Sequence, residues 1–335
     1  MGIRCLNKFL QDNCSSTSIY KFNLETLRGK VVVIDTSIYM YKFICENALL
    51  ENMFLFISIL KKYEIIPIFI FDGKAPIEKQ ELLKQRQMRK KEAETKYNNL
   101  QDSINHALDD GHKKEIEYEM SFLKRQFTRL RDDDIKHVKE LMDAYAVTYY
   151  TASREADELC AYFIKSGKAW ACFTDDMDMF IYDCPYVIRN ISLMNHTAFM
   201  YDKASILKEL KINQKLFREI MILSGTDYNI NTDTSLKETI RWFHKYNNYL
   251  LDIETNKDKI DAKNKPLAFY VWLVKTTKYI SDYSVLLKIC KMFMINDDFI
   301  EIEEQTSIAA KEMTSKPIDM AKLQEIMRKE GFVFI

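Results

Sequence analysis

Glycine is scarce in this chain, seven residues in 335. Its loops must therefore draw on asparagine, aspartate and lysine, and no internal repeat or extended low-complexity tract breaks the sequence. No apolar run reaches the ~18 residues that a membrane-spanning helix needs. The opening MGIRCLNKF has no apolar signal-peptide core, and Leu6 stands where a myristoylation signal takes Ser or Thr. An intracellular protein without a membrane is expected, with nucleus and cytoplasm not distinguished. The seven cysteines are odd in number and no two lie at a C-x-x-C spacing, and the five histidines add no zinc pattern. Free thiols in a reducing compartment are the simpler reading, against a disulfide framework or a zinc site. Net charge is also missing: 49 basic residues balance 49 acidic ones. A nucleic-acid binder is usually basic overall, so composition alone gives that class no support.

What is present is a hydrophobic fraction of 47%, enough for a substantial core in one large α/β domain or two smaller ones. KVVVI at 30–34 reads as a buried parallel strand, and IIPIFIF at 65–71 as a second with its Pro67 near the start. Further strands are expected at 147–150, 169–173 and 186–189, with helices between them. The stretch to about Tyr63 reads as one long helical run, and Glu78 to Arg131 as two helices broken near Asp109–Gly111. After about Ala204 the pattern is almost wholly helical, with a capping box at Ser235-Leu-Lys-Glu238 and a polar loop from Asn247 to Lys265. Strand–helix alternation predicts an α/β fold, a mostly parallel twisted sheet flanked by helices, with a helical insert and a helical C-terminal region.

Seven carboxylates then stand out, in five short segments: Asp35 in VVVIDTS, Asp72 in IFIFDGK, Glu155 and Asp157 in SREADE, Asp176 and Asp178 in FTDDMD, and Asp227 in SGTDY. Four of the five segments follow predicted strands, and ligands of open parallel sheets bind outside the carboxyl ends of strands. A lone Asp there is more often a turn or cap former, and Glu155 and Asp157 at a helix start also suit the helix dipole. Seven together make that bland reading weak, because clustered carboxylates repel unless cations hold them. Oxygen-only donors suit Mg²⁺. Two such ions can activate a water and stabilise both oxygens of a phosphodiester displacement. Charge distribution agrees: between Lys74 and Lys91 seven basic residues (Lys74, Lys79, Lys84, Arg86, Arg89, Lys90, Lys91) face two acidic ones. By itself that run is an ordinary solvated helix face.

At these residues the chain resembles the flap endonuclease family of structure-specific 5′ nucleases. The resemblance runs through MGIRCLNKFL, VVVIDTSIYMYKF, FIFDGKAPIEKQELLKQR, TASREADELCAYFIKSGKAWACFTDDMDMFIY and ILSGTDY, in order and in spacing, from residue 1 to about 245. It implies a PIN-like nuclease core at 1–228 containing a helical arch at about 78–131. It also implies a C-terminal region at 229–335 with a divergent helix-two-turn-helix. Asp35, Asp72 and Glu155 are then expected to ligate one Mg²⁺ and Asp176 and Asp178 a second, with Mn²⁺ able to substitute. Asp157, where the family usually has Glu, would serve between them, and Asp227 through water. Lys79 and Arg86 match the family's catalytic basic pair, and Tyr41 an aromatic on which a base stacks. Tyr39 and Tyr41 are both open to a core reading. Gly2, Lys74, Arg89, Lys90, Ser235 and Lys237 are the further expected DNA contacts, and Arg125, Arg129 and Arg131 would add charge at the far end of the arch.

The departures are as informative. NINTDTSLKE, residues 229–238, has no glycine where the family's helix-two-turn-helix has a G-x-G. A grip on the downstream duplex would then fall to Thr234, Ser235 and Lys237. ENALLEN lacks the arginine that usually follows the first shared helix, and MRKEGFVFI lacks a sliding-clamp signal. A divergent member, of which a viral one is an example, is implied. The expected partner is branched DNA with a 5′ flap, RNA-containing flaps remaining open, and the chain is expected to be a monomer. A 5′–3′ exonuclease, a junction-cutting sibling, a related ribonuclease and a non-catalytic DNA-binding scaffold are the other readings.

Overall fold

The computed structural model describes residues 3–103, 110–230, 233–255, 266–295 and 316–334. In chain order the elements begin with α1 (Leu6–Asn13), β1 (Ile19–Asn23), β2 (Val31–Asp35), α2 (Thr36–Cys45), α3 (Leu49–Lys62) and β3 (Ile66–Phe71). The long helices α4 (Gln80–Ser103) and α5 (Asp110–Phe127) follow, then α6 (Asp132–Ala144), β4 (Thr148–Thr151), α7 (Ala156–Lys165) and β5 (Ala171–Phe173). β6 (Tyr186–Ser192), β7 (Thr197–Asp202), α8 (Lys203–Leu210), α9 (Gln214–Leu223) and α10 (Leu236–Thr255) come next. The last are α11 (Phe269–Thr276), α12 (Ser284–Met292) and α13 (Met320–Lys329). Among the described residues the strands order as β2-β3-β4 in one part of the chain and as β1-β7-β6-β5 in the other. The chain divides into two compact units, each assembled from separated stretches of sequence.

One unit comprises Asn23–Cys160, Ser192–Thr197 and Phe299–Ile335. Here β2 and β3 pair in parallel with Val33 opposite Ile68 and Asp35 opposite Ile70, and β3 and β4 pair in parallel with Phe71 opposite Thr151. Runs such as VVVI and IFIF are apolar without alternation because both faces of a parallel strand are covered. Tyr39, Phe43, Phe56 and Phe69, all at most 1% exposed, form the aromatic centre of this unit. Their ring centroids lie 5.0 to 6.4 Å apart in tilted and edge-on pairs, the favourable arrangements for aromatic quadrupoles. The single helical run expected to Tyr63 is two helices. Asn47 takes a left-handed φ of 54° between them, a conformation asparagine tolerates. The insert is two helices as expected, with Ala93, Ile116 and Leu123 buried and Tyr97 edge-on to Phe127 at 5.3 Å. The residues between the two helices lie outside those described. After α13, Phe332 and Phe334 reach the ring of Phe54 at 5.4 and 6.3 Å.

The other unit comprises Met1–Phe22, Ala161–Ile191 and Ala198–Asp298. β5 and β6 are parallel, with Phe173 opposite Ile188. Helix α10 runs on to Thr255, so the first part of the loop expected from Asn247 is helical. Tyr246 and Tyr249 account for this: their rings lie 5.4 and 6.0 Å from Trp272 and tie a polar stretch to a buried indole. Residues 256–265 lie outside those described. Among the described residues no helix is long and apolar enough to cross a membrane.

Lys203, at the start of α8, is 2% exposed, with its ammonium 2.8 Å from the Asp183 carboxylate. Burial pulls its pKa down to about 8 from the ordinary 10.5, against the opposing pull of Asp183. In the window between those values the unfolded chain binds the proton more than the folded one. Stability from this group therefore rises with pH from about 8 to 10.5, by on the order of 3 kcal/mol. Lys203→Met should flatten that rise in urea midpoints measured across the window, leaving the remaining pH dependence from other groups unchanged.

Candidate functional site

In the unit that holds β2, β3 and β4, three strand ends deliver acidic groups to one edge. Asp35 is the last residue of β2 and 5% exposed. It occupies the N-cap position of α2 yet makes no side-chain cap bond, so capping does not explain it. Asp72 follows β3 directly, and register places β3 beside β2 and β4. Asp72 Oδ1 accepts from the Ala156 N–H at 2.9 Å, which binds the end of β3 to the first turn of α7. Glu155 and Asp157 flank that same turn and are half-buried.

The loop after β3 and the loop after β4 are stitched by backbone. Gly73 N–H donates to Arg154 O at 2.7 Å, and Lys74 N–H to Ser153 O at 3.4 Å. A Cβ on Gly73 would stand 1.9 Å from Ala152 O and 2.9 Å from the Ser153 carbonyl carbon, so only glycine permits this approach. Sequence reasoning does not single out Gly73. The signal was available: one of seven glycines sits directly after a candidate ligand.

Lys79, on a single 3₁₀ turn at Ile77–Lys79, is 8% exposed, and its Nζ lies 2.7 Å from Glu155 Oε1. The structure thus brings the expected catalytic lysine to the carboxylate edge itself. Arg86 lies one to two turns along α4, close enough for its charge to be felt at the Tyr41 hydroxyl. Tyr39 and Tyr41 separate: the first is wholly buried in the aromatic centre, the second 38% exposed. Burial, and then the Asp72 charge, raises the Tyr41 pKa above its usual value. Lys90 Nζ lies 5.3 Å from the Tyr41 ring centroid and donates to Thr128 O at 3.0 Å, spanning from α4 to the segment after α5. Burial lowers the Lys90 pKa, and Arg129 and Arg86 add to that. Lys74 and Arg89 are exposed. Gly2 lies outside the described residues.

The other unit carries the remaining acids. Asp176 and Asp178 follow β5 and are 7% and 3% exposed. Asp176 N–H donates to Thr174 Oγ1 at 3.1 Å, and Asp178 N–H donates to Asp176 Oδ1 at 3.0 Å. The neighbouring Asp175 has a different role. Its carboxylate accepts from Asn190 N–H at 2.9 Å and its carbonyl from buried Arg189 at 2.7 Å, which holds the turn against β6. Arg189 in turn donates to Asn7 on α1 at 2.6 Å. Asp227 is half-buried in a turn that Asn229 closes, accepting from Thr226 N–H at 2.7 Å and donating to Ile222 O at 2.8 Å. Ser235 and Lys237 are exposed at the start of α10, where Ser235 Oγ accepts from Glu238 N–H at 3.4 Å, half of the expected capping box.

Among the described residues no three His, Cys, Asp or Glu side chains stand as a ready-made metal cage. The donor chemistry fits a hard divalent cation all the same: every candidate is a carboxylate. Lys79 brings positive charge to this edge, its ammonium paired with the half-buried Glu155 carboxylate.

Residues 1–93 match the XPG N-terminal domain and residues 146–227 the XPG I-region. These two matches contain all seven acids, Lys79 and Arg86. The chain belongs to the flap endonuclease family. Flap endonuclease 1 of Mus musculus is 30% identical over 247 residues, 68% of this chain and 61% of the mouse protein. The chain thus spans about three fifths of that relative's length. The family's fold is shared with the catalytic core of Rad2 in complex with DNA substrate, with a TM-score of 0.63 at 21% identity over 99% of this chain and 96% of that one. It is shared also with the Holliday junction-resolving enzyme GEN1 in complex with product DNA and Mg²⁺ (TM-score 0.58, 16% identity, 98% of this chain and 73% of that one).

Gly73→Ala should part the two stitched loops. Overpacking of this kind costs about 1–3 kcal/mol. A melting temperature lowered accordingly, together with weakened Mn²⁺ binding, is the expected result in calorimetry. An unchanged melting curve would mean that the loops are not pinned by this contact.

Proposed function

We propose that the chain is a divalent-metal-dependent, structure-specific 5′ nuclease that cuts branched DNA, 5′ flaps above all, in replication, repair or recombination. The observation that carries this reading is the edge formed by Asp35, Asp72, Glu155 and Asp157, pinned by Gly73 and met by Lys79. Mg²⁺ bound by the carboxylates, two ions in this reading, supplies an activated water and charge stabilisation for the displaced oxygen. Mn²⁺ substitutes. Asp35, Asp72 and Glu155 serve one ion, Asp176 and Asp178 the other, with Asp157 between and Asp227 acting through water.

The chain's own residues orient the phosphodiester. Lys79 releases Glu155 when that carboxylate is otherwise neutralised, and its ammonium then reaches the scissile phosphate. Arg86 shares that work from the next turns of α4, and together they counter the negative charge that grows there in the transition state. Tyr41 offers an exposed ring, steadied by Lys90, for the base beside the cut, a contact indifferent to sequence. The products carry 5′-phosphate and 3′-hydroxyl. A core at 1–228 with its arch at 78–131 does the cutting, and the helical region 229–335 holds duplex. RNA-containing flaps belong to the same substrate class, and the active form is a monomer inside the cell.

A 5′-labelled double-flap DNA tests this directly: release of the whole flap by one Mg²⁺-dependent cut near the junction is expected. Mononucleotide release would move the reading to a 5′–3′ exonuclease, and binding without cutting would move it to a non-catalytic scaffold. Asp176→Ala or Asp178→Ala should abolish cleavage and leave DNA binding largely intact; normal cutting by both would overturn the assignment. Lys79→Ala should slow the single-turnover rate by roughly 10²-fold or more while affinity changes little. An unaltered rate would remove Lys79 from the catalytic residues.

A further inference from the structure

Asp176 and Asp178 depend on one peptide group. The carbonyl of Asp175 accepts from Arg189 Nη2 at 2.7 Å. The amide on the other side of that bond, Asp176 N–H, donates to Thr174 Oγ1 at 3.1 Å. A peptide group is planar, so fixing both of its polar atoms fixes how the chain enters Asp176. Asp178 follows, because its N–H donates to Asp176 Oδ1 at 3.0 Å. Arg189 is therefore the outer anchor of the acid pair.

That anchor has a competing partner. Arg189 is 7% exposed, and its Nε stands 4.0 Å from Asp175 Oδ1. Among the described residues that Nε makes no hydrogen bond. A fork onto the carboxylate would be the stronger contact by itself, since guanidinium and carboxylate match bidentately. Asn7 on α1 holds the guanidinium on the carbonyl instead. Asn7 Oδ1 accepts from Arg189 Nη1 at 2.6 Å and from the Tyr201 hydroxyl at 2.7 Å. Tyr201 is wholly buried on β7, and its ring centroid lies 5.4 Å from the guanidinium carbon. One residue thus orients the Asn7 amide and covers the charge that the amide holds. Helix α1 is itself tied down: Leu6 and Leu10 are buried, and just past its end Ser15 N–H and Oγ donate to Glu209 on α8 at 2.6 and 2.7 Å. All of these residues belong to the same compact unit.

We propose that Asn7 and Tyr201 are positioning residues for Asp176 and Asp178, acting through Arg189 by selecting the Asp175 carbonyl over the Asp175 carboxylate as its partner. The inference rests on the reading of that acid pair as cation ligands. Without Asn7 the guanidinium turns onto the carboxylate, the peptide between Asp175 and Asp176 is released, and both acids lose their aim. Groups that orient metal-ligating side chains in this way change metal affinity or turnover by roughly 10–100-fold. Asn7 and Arg189 lie 182 positions apart, so no local pattern in the sequence announces the relay.

Asn7→Ala, Asn7→Asp and Tyr201→Phe test it on the full chain. Mn²⁺ titration followed by electron paramagnetic resonance should show one bound ion weakened roughly 10–100-fold in Asn7→Ala and less in Tyr201→Phe. Asn7→Asp, whose carboxylate accepts the same two bonds, should restore wild-type binding. On saturating 5′-flap DNA, Asn7→Ala should lower kcat and leave KM unchanged. Amide exchange over 174–178, measured without metal, should be faster in Asn7→Ala than in wild type or Asn7→Asp. Tyr201→Phe carries the test should Asn7→Ala melt too early to assay. Variants that melt earlier yet bind Mn²⁺ and protect 174–178 as wild type does would reduce the relay to an ordinary packing contact and overturn the proposal. An equal loss in Asn7→Asp would overturn it too. Wild-type protein that binds no Mn²⁺ would instead remove the cation reading, and exchange over 174–178 would then decide the relay by itself.

Discussion

Carboxylates crowded at the ends of parallel strands repel one another, and the architecture of the site is the answer to that repulsion. Strand register alone brings Asp35 and Asp72 to neighbouring positions, but register does not fix the loops that follow. The Gly73 amide on Arg154 O and the Asp72 carboxylate on the Ala156 amide do so. They tie the β3 and β4 loops together and thereby set where Glu155 and Asp157 point. Once those loops are joined, positive charge has to arrive, and Lys79 shows in which form the protein itself provides it. In the proposed reading, a cation that neutralises Glu155 would free this ammonium for the phosphate.

The second unit solves the same problem differently. Asp176 and Asp178 are held by a tight turn in which one carboxylate accepts the other's amide, and Asp175 and Arg189 brace that turn against β6. The acid that faces away, Asp175, is structural, and the acids two positions apart from one another are the candidates for chemistry. This alternation within one short segment explains why a simple count of acidic residues would overstate the site.

Much of this was legible in the sequence because the relevant signals are local. The VVVI and IFIF runs announce buried parallel strands, and four of the five acidic segments follow a strand, Asp227 following helix α9 instead. The missing pieces are tertiary. The break between α2 and α3 depends on a single asparagine adopting a left-handed backbone, which no periodicity reveals. The strands β1 and β7 are mixed in polarity, IYKFN and TAFMYD, and lack the apolar run that marks the others. Helix α10 continues through a polar stretch because Tyr246 and Tyr249 find Trp272, a partner more than twenty residues away. The Lys79–Glu155 pair and the Asn7–Arg189 bond likewise join residues distant in sequence. Gly73 is the intermediate case, a local oddity whose meaning appears only when Ala152 is placed opposite it.

The central claim is that these carboxylates exist to hold divalent cations. Counting bound Mn²⁺ by electron paramagnetic resonance during titration of the protein, without DNA, tests it most directly. The account predicts two bound ions on the wild-type chain, with one lost in Asp35→Asn and the other in Asp178→Asn. Mn²⁺ that remains free throughout the titration, or binding that both variants leave unchanged, would contradict it.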